Sequence, residues 1–150
     1  MSKKISKEAI LTACIEKQEE LVSSYEHRVK EMTDDAYGHT QSASQSEDRT
    51  AGKIELLQTL KNELEFVTAE MSFLKSLDPG IKKDTIETGA VVVTDQRTFF
   101  VAVSSEKVEA GGQEVFGLSP NAPIYSVMKG LKDGNAFSFN DIDYKIISVY

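Results

Sequence analysis

Residues 33–50 read TDDAYGHTQSASQSEDRT, a polar run almost without aliphatic side chains that separates two long segments of helical periodicity. In the segment before it, Leu11, Ile15, Gln18, Val22, Tyr25, Val29 and Met32 recur at alternating spacings of four and three, and only Gln18 interrupts the apolar seam. In the segment after it, Leu57, Leu60, Leu64, Val67, Met71 and Leu74 repeat the same alternation, and Ile54 and Leu77 extend the stripe by one position at each end. Spacing of this kind is a coiled-coil register. Two such helices joined by one connection must run antiparallel and bury their seams on each other. The polar run is then the tip of a helical hairpin, near 33–50. With helices of about 25 residues and ~1.5 Å of rise per residue, the arm extends roughly 35 to 40 Å.

Ser6 is placed to cap the first helix. Leu77-Asp78-Pro79-Gly80 stops the second, because proline cannot continue a helix and glycine accepts a left-handed turn. The period then changes from 3.6 to 2, which sets a domain boundary after Gly80: residues 1–80 for the hairpin and 81–150 for a β domain. Runs rich in Val, Phe and Thr over 90–94 and 98–104, and strands at 107–109, 114–118, 136–139 and 144–149, predict a small antiparallel sheet of about five strands. Asn121 and Pro123 predict one short helix over 122–129, closed by Gly130. Phe99, Phe100, Phe116, Tyr125, Phe137, Phe139 and Tyr144 supply the bulk of its core. The fold class is α+β.

The chain has 150 residues and a formal net charge of −7, and acidic residues outnumber basic ones on both sides of Leu77. A protein that grips a phosphate backbone by itself carries a basic face, so autonomous nucleic-acid binding is not expected. No apolar run approaches the ~20 residues of a membrane span, and the charged start MSKKISKEAI has no signal-peptide character, which gives a cytoplasmic expectation. Cys14 is the only cysteine; it excludes an internal disulfide and reads as a buried apolar residue.

No phosphate loop, nucleophile elbow, HExxH or paired-cysteine motif occurs. An enzyme with a self-contained active site is therefore not expected. What stands out is an arm with acids at both shoulders of its tip: Asp34 and Asp35 at the entrance, Glu47 and Asp48 at the exit. These same residues could simply terminate one helix and start the next.

The run Gly117-Leu118-Ser119-Pro120, the segment Ala122 to Gly130, the turn Lys132-Asp133-Gly134 and the strand Tyr144-Lys145-Ile146-Ile147 together resemble the bacterial Gre transcript-cleavage factors (GreA/GreB-like). The layout is similar as well, an N-terminal antiparallel coiled coil followed by an FKBP-like β domain. The resemblance implies a transcription elongation regulator. Its β domain would dock on RNA polymerase at the secondary channel, through Ser119, Pro120, Asn121 and Lys129, and its coiled-coil tip would enter the channel. It also implies that tip acids assist the polymerase in cleaving backtracked RNA; no residue here matches the family's acids, and Asp34 and Asp35, or Glu47 and Asp48, would be their substitutes. Asp34 and Asp35 would then share a Mg2+ ion with the polymerase active site, the factor having no cofactor and no catalytic residue of its own. Nucleic acid would be met only within the elongation complex, no membrane is involved, and the seam closed within one chain points to a monomer.

The family's tip pairs an aspartate with a glutamate three residues later. Here Asp34-Asp35-Ala36-Tyr37-Gly38 has no acid three residues after either aspartate. A regulator that occupies the channel without stimulating cleavage is the nearest alternative. A peptidyl-prolyl isomerase, on the FKBP-like layout, and a coiled-coil adaptor are the rivals from other classes.

Overall fold

The computed structural model describes residues 5–37 and 43–150, the side chains of 37–50 excepted. The fold is α+β: two long helices, α1 (Lys7–Tyr37) and α2 (Ala43–Ser76), precede a small, mostly antiparallel sheet. The chain divides into two compact units, residues 18–72 and residues 1–17 with 73–150.

In the first unit the two helices run antiparallel. Gln18 of α1 lies against Val67 of α2, and Asp35 of α1 against Lys53 of α2, so an advance along one helix is a retreat along the other. Val22, Leu57, Leu60 and Val67 are buried in the seam, and Tyr25, Val29, Met32 and Leu64 are half-buried. Both helices run further into the polar stretch than the apolar pattern indicated. Residues 33–37 and 43–50 are helical, and only 38–42 between them lie outside the described residues. A helix needs an apolar face to pack, not to continue. The Thr33 hydroxyl donates to the Val29 carbonyl at 2.7 Å, a bond one turn back that keeps a polar residue inside the helix.

The second unit is built on a six-stranded sheet of β1 (Val91–Thr94), β2 (Thr98–Val101), β3 (Ser105–Ala110), β4 (Gln113–Leu118), β5 (Ala136–Phe139) and β6 (Ile142–Val149), in the order β3-β4-β2-β1-β6-β5. The expected sheet of about five antiparallel strands is thus corrected to six strands in a mixed sheet, because β4 pairs with β2 in parallel. After β2 the chain reverses into β3, turns at Gly111-Gly112 and folds back between β3 and β2. Both glycines have positive φ, 57° and 77°, as the left-handed residues of a tight hairpin turn require. The insertion also needs Gly117, since a Cβ there would lie 2.2 Å from Ser105 Oγ and 2.6 Å from the Val103 carbonyl oxygen. The short helix, α3 (Tyr125–Met128), covers less of the segment than the 122–129 expected.

Neighbouring strand residues face opposite ways, so the sheet feeds two apolar layers. Val91, Phe100 and Val115 pack with Ile5, Ile10, Leu11 and Cys14 from the start of α1 and Leu74 from the end of α2. Val92, Phe99 and Val101 pack on the other face with Tyr125, Met128, Phe137, Tyr144 and Ile146. The Phe137 and Tyr144 rings stack at 4.7 Å between centroids, and Phe99 tilts against Tyr144 at 6.1 Å. These aromatics fill the core.

One compact unit joins the ends of both helices to the strands. Ile10 and Leu74 have no exposed surface at all, and both belong to the layer beneath the sheet, so the helix ends fold with the β strands. The Tyr150 hydroxyl donates to the Ile5 carbonyl in the same layer. Cys14 is a free, buried thiol, which desolvation pushes up to about 11. Ser6 caps α1 as expected, its hydroxyl accepting the Ala9 N–H at 3.4 Å. Asp78 accepts the Gly80 N–H at 2.8 Å in the turn after α2.

Candidate functional site

Asp34 and Asp35 belong to the last turn of α1, not to a loop. That end of a helix carries the negative pole of the macrodipole, where a carboxylate costs ~0.3–1 kcal/mol, and α1 has no basic residue in its last turn to offset it. The placement is therefore unfavourable to the helix itself.

Asp34 is exposed. The Asp35 carboxylate lies 3.0 Å from the Lys53 ammonium of α2, a partner the sequence reading did not include. The antiparallel register supplies the signal that could have found it: once Gln18 faces Val67, a residue near Lys53 must face Asp35. Asp35 also lines an open groove of about 380 Å³ with Arg28, Glu31, Met32, Leu56 and Leu60. The cations Arg28 and Lys53 thus share this part of the hairpin with the acids.

The shared Mg2+ can be tested against this geometry. Consecutive residues on a helix diverge by ~100°, so Asp34 and Asp35 do not converge on one ion, and Asp35 is already engaged by Lys53. Among the described residues no three His, Cys, Asp or Glu side chains come together as a metal site. The two aspartates do not fit a magnesium ion as a chelating pair. The side chains of Glu47 and Asp48, which fall within the span of α2, lie outside the described residues.

The second set, Ser119, Pro120, Asn121 and Lys129, brackets α3 on the face that covers the Tyr125–Met128 layer. Ser119 is tied into the turn twice, its hydroxyl accepting the Asn121 N–H at 3.1 Å and its carbonyl the Ala122 N–H at 2.9 Å. Pro120, Asn121, Pro123, Val127 and Lys129 are exposed. The Lys129 N–H donates to the Tyr125 carbonyl at 2.9 Å, which closes the helix before Gly130 at a φ of 80°. Tyr125 and Met128 anchor the segment in the core while its outer side presents two prolines, an amide, an exposed valine and a cation. That is a rigid patch suited to a protein surface, and it contains no nucleophile paired with a base.

Among the described residues no helix is long and apolar enough to cross a membrane. No protein-family model matches the chain. No curated protein matches it either. Solved structures are similar to it along most of their length, three of them as follows. GreA factor homolog 1 of Thermus thermophilus is 16% identical over 91% of this chain and 94% of that one, with a TM-score of 0.34. A structure described as the transcription factor Gfh1 is 15% identical over 92% and 94%, with a TM-score of 0.35. Gfh1 of Thermus aquaticus is 14% identical over 93% and 95%, with a TM-score of 0.33. At those TM-scores the likeness carries no argument, and a functional reading has to stand on the residues.

Proposed function

We propose that this chain is a Gre-like transcription elongation regulator that binds RNA polymerase at its secondary channel, the β domain docking and the end of the hairpin inserted. The observation that carries the reading is the position of Asp34 and Asp35 on the last turn of α1, where the macrodipole disfavours both carboxylates and Asp34 is exposed beside the Asp35–Lys53 pair. An acidic arm suits a channel that admits anionic nucleotides, because it competes with them on charge and is not drawn onto nucleic acid itself. The residues of 117–147 that resemble the Gre family support the docking half, through the exposed Pro120, Asn121 and Lys129 beside α3.

The regulator acts on the polymerase active site and brings no catalytic residue of its own. Two-metal phosphodiester cleavage needs ligands that converge on the weaker metal. The Asp35–Lys53 ion pair and the divergence of Asp34 from Asp35 favour the channel-occupying reading, without stimulated cleavage. The protein acts in the cytoplasm as a monomer, with its seam satisfied inside one chain.

The test is RNA cleavage and elongation in backtracked complexes of the cognate polymerase, beside a pull-down of polymerase. Binding with altered elongation and no added cleavage is the expected result, weakened by Pro120→Ala with Lys129→Glu. Stimulated cleavage that disappears when Asp34, Asp35, Glu47 and Asp48 become alanine would replace it with a cleavage factor. Absence of polymerase from the pull-down would leave a coiled-coil adaptor.

A further inference from the structure

We infer that the cavity beside the first residue of α1 binds a small monocarboxylate, its carboxylate on the Lys7 ammonium and its short apolar tail among the surrounding side chains. The cavity measures about 200 Å³ and is lined chiefly by Lys7, Leu11, Leu77, Ile81, Lys83 and Phe100, all from one compact unit. Lys7 is only 8% exposed. Its ammonium carries three N–H donors, of which the Ile81 carbonyl takes one, at 2.8 Å. Among the described residues no carboxylate stands within ion-pair distance of it.

Helix pole, burial and Lys83 act against that charge, and Glu87 and the Ile81 carbonyl offset them in part. Lys7 opens α1, at the positive pole of the helix, where a cation is unfavourable. Lys83 lines the same cavity and is itself engaged by Glu87 at 2.9 Å. The third charged group on the cavity wall is Asp78, exposed and holding the Gly80 N–H. Glu8, the acid of the first turn, lines a different groove with Glu16 and Glu109. Burial first, and repulsion from Lys83 second, lower the Lys7 pKa from 10.5, with Glu87 partly opposing them. In a chain of net charge −7 this is a locally positive, half-lined pocket.

A carboxylate supplies what the site lacks: charge, and acceptors for the two remaining donors in a charge-assisted contact. Phosphate fits less well, because Leu11, Leu77, Pro79, Ile81 and Phe100 make much of the wall apolar and Asp78 on the same wall repels a dianion. A water occupies ~30 Å³, so the cavity has room for on the order of six such volumes, the size of a four- or five-carbon acid.

The full-length protein is titrated at pH 7 with butyrate, 1-butanol and inorganic phosphate, by calorimetry and by amide chemical shifts. Butyrate is expected to bind saturably in the millimolar range, at least tenfold more tightly than butanol, with shifts at Leu11, Thr88 and Phe100. Its affinity should fall as pH rises and Lys7 loses its proton. Lys7→Met should lose at least tenfold while staying folded, since it removes a cation the folded state disfavours, and Lys83→Gln should lose a few-fold. Equal binding of butanol and butyrate, binding of phosphate without butyrate, or undiminished binding to Lys7→Met would overturn the inference. If Lys7→Met does not fold, the comparison of butyrate with butanol on the natural chain decides.

Discussion

The side-chain amide of Gln18, 4% exposed in the hairpin seam, donates to the backbone carbonyl of Val67 at 2.8 Å and to the Glu70 carboxylate at 3.3 Å. The residue that interrupts the apolar pattern is thus a cross-helix tie, and it pins one register of α1 on α2. Gln18→Ala leaves a gap and an unpaired partner, and should lower unfolding free energy by about 1–2 kcal/mol in urea melts followed at 222 nm. Gln18→Leu fills the gap but makes neither bond, so it should recover only part of that loss. Full stability in the leucine variant would remove the tie from the account.

Glu70 shares that contact, and its pKa is raised from 4.5, by desolvation first, with the Gln18 hydrogen bond opposing the shift. For an acid whose folded pKa lies above its unfolded one, the protonated form is favoured in the fold. The contribution is present below about 4.5 and is lost as pH rises through the raised value. Glu70→Gln should therefore raise the urea midpoint at pH 7 relative to the natural chain, and the advantage should vanish near pH 4. Midpoints measured from pH 4 to 8 check the sign.

Gly117 should tolerate no side chain. An added Cβ meets Ser105 Oγ and the Val103 carbonyl within 2.6 Å, so β4 must shift away from the chain it is inserted beside. Gly117→Ala is expected to cost about 1–3 kcal/mol, the range of overpacking. Pairing it with Ser105→Ala should restore only part, since the backbone contact remains. Thermal melts of the two variants decide.

Lys53→Ala removes the partner of Asp35 from a surface ion pair whose two side chains are 33% and 48% exposed. Stability should change by less than ~1 kcal/mol. If the acids work in the polymerase channel, releasing Asp35 should strengthen the effect on elongation, and Asp35→Asn should weaken it. An unchanged elongation rate in both variants would separate Asp35 from the function.

What the amino-acid order determined by itself was local. The alternating spacing of Leu11 to Met32 and of Leu57 to Leu74 requires two helices that cover each other. Ser6 and Asp78-Pro79-Gly80 mark ends because capping and ring closure act within a few residues. The strands over Val91–Thr94 and Thr98–Val101 follow from residue type alone. Only the tertiary structure decided three things. The helices continue to Tyr37 and from Ala43 because hydrogen bonding along a helix does not depend on an apolar face. β4 lies parallel to β2 because the chain reverses through β3 and returns between the two, Gly117 passing close to Val103 and Ser105, a path that no periodicity reports. Ile10, Cys14 and Leu74 serve the sheet, and Asp35 meets Lys53, because burial and charge pairing join residues far apart in the chain, and such partners are set by packing in three dimensions.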